Sequence, residues 1–488
     1  MNLRLDAARA TTRRQFFKNT GFSLGAVALS GLLGRDAFGA DKEIVIDPKN
    51  PLAVRPPHFA PKAKSVIYLH MSGAPPQHDL FDWKPKLVEF NMKPCPEELL
   101  KGQRFAFIKG VPKMLGSPYK FKQQGKSGAW VSETLPHFSE IVDECTIIRS
   151  MHTDEFNHAP AELFLYTGAP RPGNPALGSW LTYGLGSENQ DLPGFVVLLS
   201  GGTDPTGGKS LWSSGFLPSV YQGVQCRSAG EPILYSSNPA GMERETRRRS
   251  LDALKALNDV EAKTFGDPET VTRIAQYELA YRMQIAVPEV MDISKEPKEI
   301  QEMYGAKPGD GSFANNCLLA RRLVEKGVRY VQLYDWGWDI HGTGSGDDLI
   351  TAFPKKCKDV DKASAALIKD LKQRGMLDST LVIWGGEFGR TPMNEERGGS
   401  KLLGRDHHPH CFSIWMAGGG VKKGFVFGET DELGNQIVKD KVPVRDLQAT
   451  VLHLMGLDPH KFSYKYQGLN NRLIGPAEDP KVRKEIIA

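Results

Sequence analysis

The stretch from Thr380 to Met416 constrains this chain more than any other. It opens with TLVIW, a short apolar, β-branched run of the kind that forms a strand buried on both faces. Gly385-Gly386 follow, where a bare backbone allows a tight exit, and Glu387 stands directly after them. Past a polar loop, Asp406, His407, His408 and His410 crowd in just before a second apolar run, CFSIWM. In open parallel sheets, ligands bind at the carboxyl ends of strands. A carboxylate at such an end, with a second acid and up to three imidazoles, has the donor chemistry of a hard-to-borderline divalent metal site.

Three further polar clusters adjoin apolar runs. Ser65–Met71 reads as a strand, and the loop after it carries His78, Asp79 and Asp82. The knot from Met151 to Pro160 holds Asp154 and His158. Arg329–Tyr334 reads as another strand, and Asp339 and His341 follow its end. Helical patterns lie between: Phe313–Lys326 stopped by Gly327, Lys358–Arg374 closed by Gly375, and Val444–Met455. This alternation predicts an α/β fold, a mostly parallel sheet flanked by helices. The strands at 65–71, 329–334, 380–384 and 411–416 belong in one sheet with their carboxyl ends on one edge. The exception is 411–416, whose preceding loop does the work. Residues 240–303 are charged and read as a helical insert. Gly207-Gly208-Lys209-Ser210 is no phosphate loop, because Thr203 stands where that pattern needs glycine and no helix pattern follows.

At 488 residues with 40% hydrophobic content, the chain can bury a large core. The formal charge of +5 comes mostly from residues 1–39, which hold six Lys/Arg and two Asp/Glu and leave 56 against 55. With no basic run interleaved with aromatics, nucleic acid is not an expected partner. Thr12-Arg13-Arg14-Gln15-Phe16-Phe17-Lys18 matches the twin-arginine export pattern, an apolar segment follows, and Ala37-Phe38-Gly39 offers a cleavage site. That segment is too short to span a bilayer. Residues 1–39 are therefore expected to be a signal peptide, 40–64 a Pro-rich lead-in and 65–488 one domain, periplasmic or secreted, with no membrane span once mature. The six cysteines are scattered without a CxxC pair, and no thiol chemistry is expected.

The run Asp378–Gly389, DSTLVIWGGEFG, resembles the strand-plus-ligand motif of the alkaline phosphatase and sulfatase superfamily, with Glu387 in an Asp position and Phe388 replacing a His. Asp361 and DLQATVLHLMGL near the C-terminus also look like the sulfatase pattern. His158-Ala159-Pro160 through Leu165-Tyr166-Thr167-Gly168 is similar to the sulfatase signature that begins with its nucleophile. More closely, LGSWLTYGLGSENQDLPGFVVL, WGGEFGRTP and GRDHHP resemble an uncharacterised twin-arginine-exported family within that superfamily, domain of unknown function 1501. His158 has no hydroxyl or thiol, so the resemblance implies fold and metal rather than one reaction.

The expected activity is hydrolysis of a phosphate or sulfate ester, small-molecule or glycan, with one or two divalent cations (Zn, Mn or Ca). Glu387, Asp406 and His407 should converge on a cation at roughly 2.0–2.2 Å, with His341, Asp339, Asp154 and Asp79 as further candidate ligands. A metal-activated water is one attacker; His158 is a ligand, a general base or a nucleophile. Arg390 is expected to clamp the substrate's oxyanion. The rival is a non-catalytic member that binds a glycan or a protein and keeps any metal as structure.

Overall fold

The computed structural model describes residues 46–47, 50–101, 105–233, 241–265, 268–476 and 479–488; the expected leader lies outside them. Nine strands form the central sheet: β1 (Ser65–Ser72), β2 (Cys145–His152), β3 (Phe195–Ser200), β4 (Val224–Cys226), β5 (Tyr330–Trp336), β6 (Thr380–Gly385), β7 (Phe412–Ala417), β8 (Phe425–Phe427) and β9 (Val442–Pro443). Their order is β8-β2-β7-β6-β1-β5-β3-β4, with β9 also paired to β2. Every pairing is parallel except those of β7, which runs against both β6 and β2. The amino end of β7 therefore lies on the edge where its neighbours end. That is how Asp406 to His408, just before β7, come to face the loops leaving β1, β5 and β6.

Central strands β1 and β6 are buried at every position, as continuous apolar runs in a covered parallel sheet must be. One face presents Tyr68, His70, Tyr330 and Tyr334. Against it pack Tyr166 of α1 (His158–Thr167) and Gly178 of α2 (Leu177–Leu185), where a Cβ would lie 2.6 Å from Phe195. The other face carries Trp384 and Trp415, stacked at 6.2 Å, with Trp338 over them and Phe353 of the long helix Ala352–Gln373 beyond. The expected insert is a pair of long helices, Arg244–Phe265 and Pro268–Met291, joined by the Arg248 guanidinium bidentate to Glu278 at 2.8 and 2.6 Å. Among the described residues no helix is long and apolar enough to cross a membrane.

Candidate functional site

Four loops and one helix start meet at the carboxyl edge. His70, the one imidazole in β1, lies fully buried near its end. Gly73, at φ +109°, then turns the chain so tightly that a Cβ would sit 2.4 Å from the Asp339 nitrogen. That close approach draws the loop after β5, with Asp339 and His341, against the loop after β1. The exit of β6 brings Glu387, one oxygen of which accepts from the Gly73 N–H at 3.1 Å. Gly389-Arg390 then pairs antiparallel with His407-His408, and this short ladder delivers His407 to the same point. Helix α1 starts there with His158, and Glu162 follows one turn later on the same helix face.

Three adjoining sets of donor atoms result among the described residues, and the third, His341, Glu395 and Asp406, shares His341 with the second. In the first, His70 Nε2 stands 3.5 Å from Glu162 Oε1 and 3.4 Å from Glu387 Oε2, all three side chains being inaccessible to solvent. None of these three atoms has a hydrogen-bond partner. Charge-assisted N–H···O bonds close to about 2.7–2.9 Å, so these separations are too open for direct bonding. They match the spacing of roughly 3.4 Å between tetrahedral ligands that share an ion at about 2.1 Å. The other Glu162 oxygen is fixed by Thr206 Oγ1 at 2.8 Å and the Gly207 N–H at 2.7 Å, leaving Oε1 aimed at His70.

The second set surrounds Asp339 Oδ1: His341 Nε2 at 2.8 Å, His158 Nε2 at 3.1 Å, His407 Nε2 at 3.5 Å, and an Arg390 N–H. Burial opposes the charge on Asp339, but Arg390 and the three imidazoles hold its carboxyl far below the ordinary range. His407 Nδ1 meets the Phe156 carbonyl at 2.7 Å and His341 Nδ1 meets Glu395, contacts that fix both rings. Burial, aided by the charges on Arg390 and His158, depresses His407 to about 4. His158 joins the two sets, with Nδ1 2.5 Å from Glu387 Oε1 and Nε2 on Asp339. Burial works against its charge, yet the two carboxylates prevail and raise it to about 9. The same imidazole, with His70, holds Glu387 below the usual carboxylate range despite full burial.

Glu387, Asp339, His341, His158 and His407 thus come together, while other expected site residues serve elsewhere. Asp406 does not join Glu387: one oxygen accepts from the Phe107 and Ile108 N–H groups at 2.8 and 3.0 Å, the other from the His407 N–H, and the side chain lies in the third set with His341 and Glu395. Its work is to hold Phe107, whose ring packs edge-on over His341 and His407. Asp79 is sealed in a buried pair with Arg405 at 2.7 Å. Asp154 is exposed beside His152. Arg390 clamps the protein rather than a substrate, donating to the Gly73, Ala74 and Arg405 carbonyls and to Asp339. Sequence reasoning missed Glu162, Glu395 and the ligand geometry of His70. The signals were there: His70 is the lone imidazole in an apolar strand, and Glu162 follows His158 by four in a mostly apolar helix.

A family profile described as Protein of unknown function (DUF1501) matches residues 63–487. No curated protein matches the sequence. Among solved structures, the PsFucS1 sulfatase from Pseudoalteromonas sp. aligns with a TM-score of 0.34 at 13% identity, over 81% of this chain and 68% of that one. The alkaline phosphatase from the Antarctic bacterium TAB5 gives 0.30 at 11%, over 81% and 98%. The phosphonate monoester hydrolase SpPMH from Silicibacter pomeroyi gives 0.33 at 10%, over 81% and 73%.

Proposed function

We propose that this chain, which belongs to the DUF1501 family, is an exported metal-dependent hydrolase of phosphate or sulfate esters. The observation that carries the reading is the convergence of His70 Nε2, Glu162 Oε1 and Glu387 Oε2, three buried donor atoms that face one another at ion-pair distance without a hydrogen-bond partner. Buried polar atoms are nearly always satisfied, so three orphans aimed at one point ask for a cation. An imidazole and two carboxylates suit Zn, Mn or Ca. A divalent cation held there would supply Lewis acidity and a water with a pKa near about 7.

The chain's own residues supply the rest. His158 begins α1, where the helix dipole favours an anionic ester group. Held as an imidazolium between Glu387 and Asp339, it carries a proton on both nitrogens and is a donor rather than a nucleophile. Its Nε2 is suited to protonate the departing alcohol oxygen. Glu387 orients it through Nδ1, and its second oxygen, facing His70, is the one that would hold a cation. Phe107 roofs His341 and His407 and limits water on that side.

A non-catalytic reading draws on one observation: four of the five Arg390 N–H donors are engaged by the protein, leaving little for an anion. Metal analysis of the exported wild type, Glu387→Gln and Glu162→Gln, followed by aryl phosphate and aryl sulfate assays with and without chelator, separates the two. Near-stoichiometric metal lost from both variants, with chelator-sensitive turnover, is the expected result. Wild-type metal content in both variants would overturn the site; tight metal with no turnover on any ester would leave the non-catalytic reading.

A further inference from the structure

A second pocket lies on the sheet face opposite His70, under a hairpin formed by Phe121–Gln124 and Ala129–Ser132. Its walls are Phe81, Trp130, Ile147 and Val426, the Ser127-Gly128 turn closes one end, and Arg149 of β2 lies at the base. The cavity holds about 220 Å³, below the roughly 300 Å³ at which drug-sized sites begin, so it suits a single ring rather than a chain. Trp130 is half-buried and packs 4.4 Å from Trp83, which in turn stacks on Phe121. Of these three partly exposed aromatic side chains Trp130 lines the pocket and the other two brace it from outside, and exposed aromatic side chains of this kind mark recognition surfaces.

The base of the pocket carries charge. Asp82, fully buried, faces two cations with one oxygen: Lys84 Nζ at 3.1 Å and Arg149 Nη1 at 3.6 Å. One carboxylate against two cations leaves one positive charge. Arg149 is 20% exposed, and its Nη2 reaches only the Gly428 carbonyl at 3.3 Å. A guanidinium carries five donors in a planar fork that fits an oxyanion, and the two Nη groups keep donors beyond their contacts with Asp82 and Gly428.

We infer that this pocket binds a monosaccharide ring bearing a sulfate or phosphate group, its apolar face against Trp130 and its anion on Arg149. A sugar is favoured over a flat aromatic acid because the Ser127 hydroxyl and the 127–128 backbone add hydrogen-bonding groups that a hydrocarbon ring cannot use. The site shares no residue with the metal cluster, although the loop from Gly73 to Asp82 connects the two. It goes beyond the hydrolase reading and stands or falls without it.

The test uses the full-length mature protein as exported, methyl glucoside 6-sulfate as probe and the uncharged methyl glucoside as control, read by tryptophan fluorescence and calorimetry. The wild type should bind the sulfated sugar at least tenfold more tightly than the control. Arg149→Met should abolish that preference, and Trp130→Ala, at a half-exposed hairpin position, should weaken both sugars. Arg149→Lys, which keeps the charge and loses the fork, should fall between and guards against a folding defect in the methionine variant. Equal binding of the two sugars, preference retained in Arg149→Met, or no binding at tens of millimolar would overturn the proposal. Stronger binding of benzoate than of the sulfated sugar would overturn it in favour of an aromatic acid. Because no turnover is measured, loss of ester hydrolysis elsewhere leaves each result unchanged.

Discussion

Arg390 donates through all three guanidinium nitrogens to Gly73, Ala74, Arg405 and Asp339, and its side chain is wholly buried. Arg390→Met would strand three carbonyls and leave Asp339 without its main counter-charge. Removing one partner of a buried pair costs about 3–5 kcal/mol, so urea unfolding should show a loss of that order. A substrate clamp would instead raise KM with stability intact. Asp361 offers a pH test at the same scale. Burial raises its carboxyl to about 6 even though the His137 and Phe138 N–H groups donate to it at 2.7 and 2.8 Å. Its folded pKa lies above the unfolded 3.8. Its stabilising contribution is therefore complete below about pH 4 and is lost as pH rises through about 6. Asp361→Asn removes that loss. The variant's stability minus that of the wild type should rise between about pH 4 and pH 7, by up to about 3 kcal/mol.

At the scale of elements, the site depends on how closely the strand-end loops approach one another. Gly73 requires glycine twice over, by its φ of +109° and by the Asp339 backbone 2.4 Å from a would-be Cβ. Gly404 is confined by contact alone, a Cβ there falling 1.9 Å from the His341 carbonyl carbon. Gly73→Ala should cost more than about 3 kcal/mol and release metal, because the Asp339 loop must retreat. Gly110→Ala is the matched control: φ is +72° with nothing within 4 Å, so only the left-handed penalty of about 1–2 kcal/mol applies. Comparable losses in the two variants would show that the packing of these loops does not matter.

For the whole molecule, a cation held by His70, Glu387 and Glu162 would link β1 and the exit of β6 to the helix that covers the sheet. Since the unfolded chain cannot assemble those donors, metal at a hundred times its Kd should add about 2.7 kcal/mol of stability. Thermal unfolding with and without chelator reads this directly, and Glu162→Gln should abolish the difference. Export is tested separately. Replacing Arg13 and Arg14 together by Lys should stop accumulation outside the cytoplasm, and the mature wild type should lack residues 1–39. Normal export of that variant would end the twin-arginine reading.

The sequence alone determined the strands and the edge they share. TLVIWG, SVIYLHMS and YVQLYDW are continuous apolar runs that only a doubly covered sheet can bury, and a polar cluster at each end marks where they stop. It also placed Glu387, Asp339, His341, His158 and His407 at that edge, because a residue just past a strand has few places to go. The division of labour among them was decided by tertiary contacts. Asp406 and Asp79 have the same chemistry as Asp339, yet two backbone N–H groups claim one and Arg405 the other. Glu162 was hidden for the opposite reason: one acid in an apolar helix reads as surface until the helix is laid on β1 beneath His70. A carboxylate's role is set by whichever donor reaches it first in space, and that order is written in the packing of helix on sheet rather than along the chain.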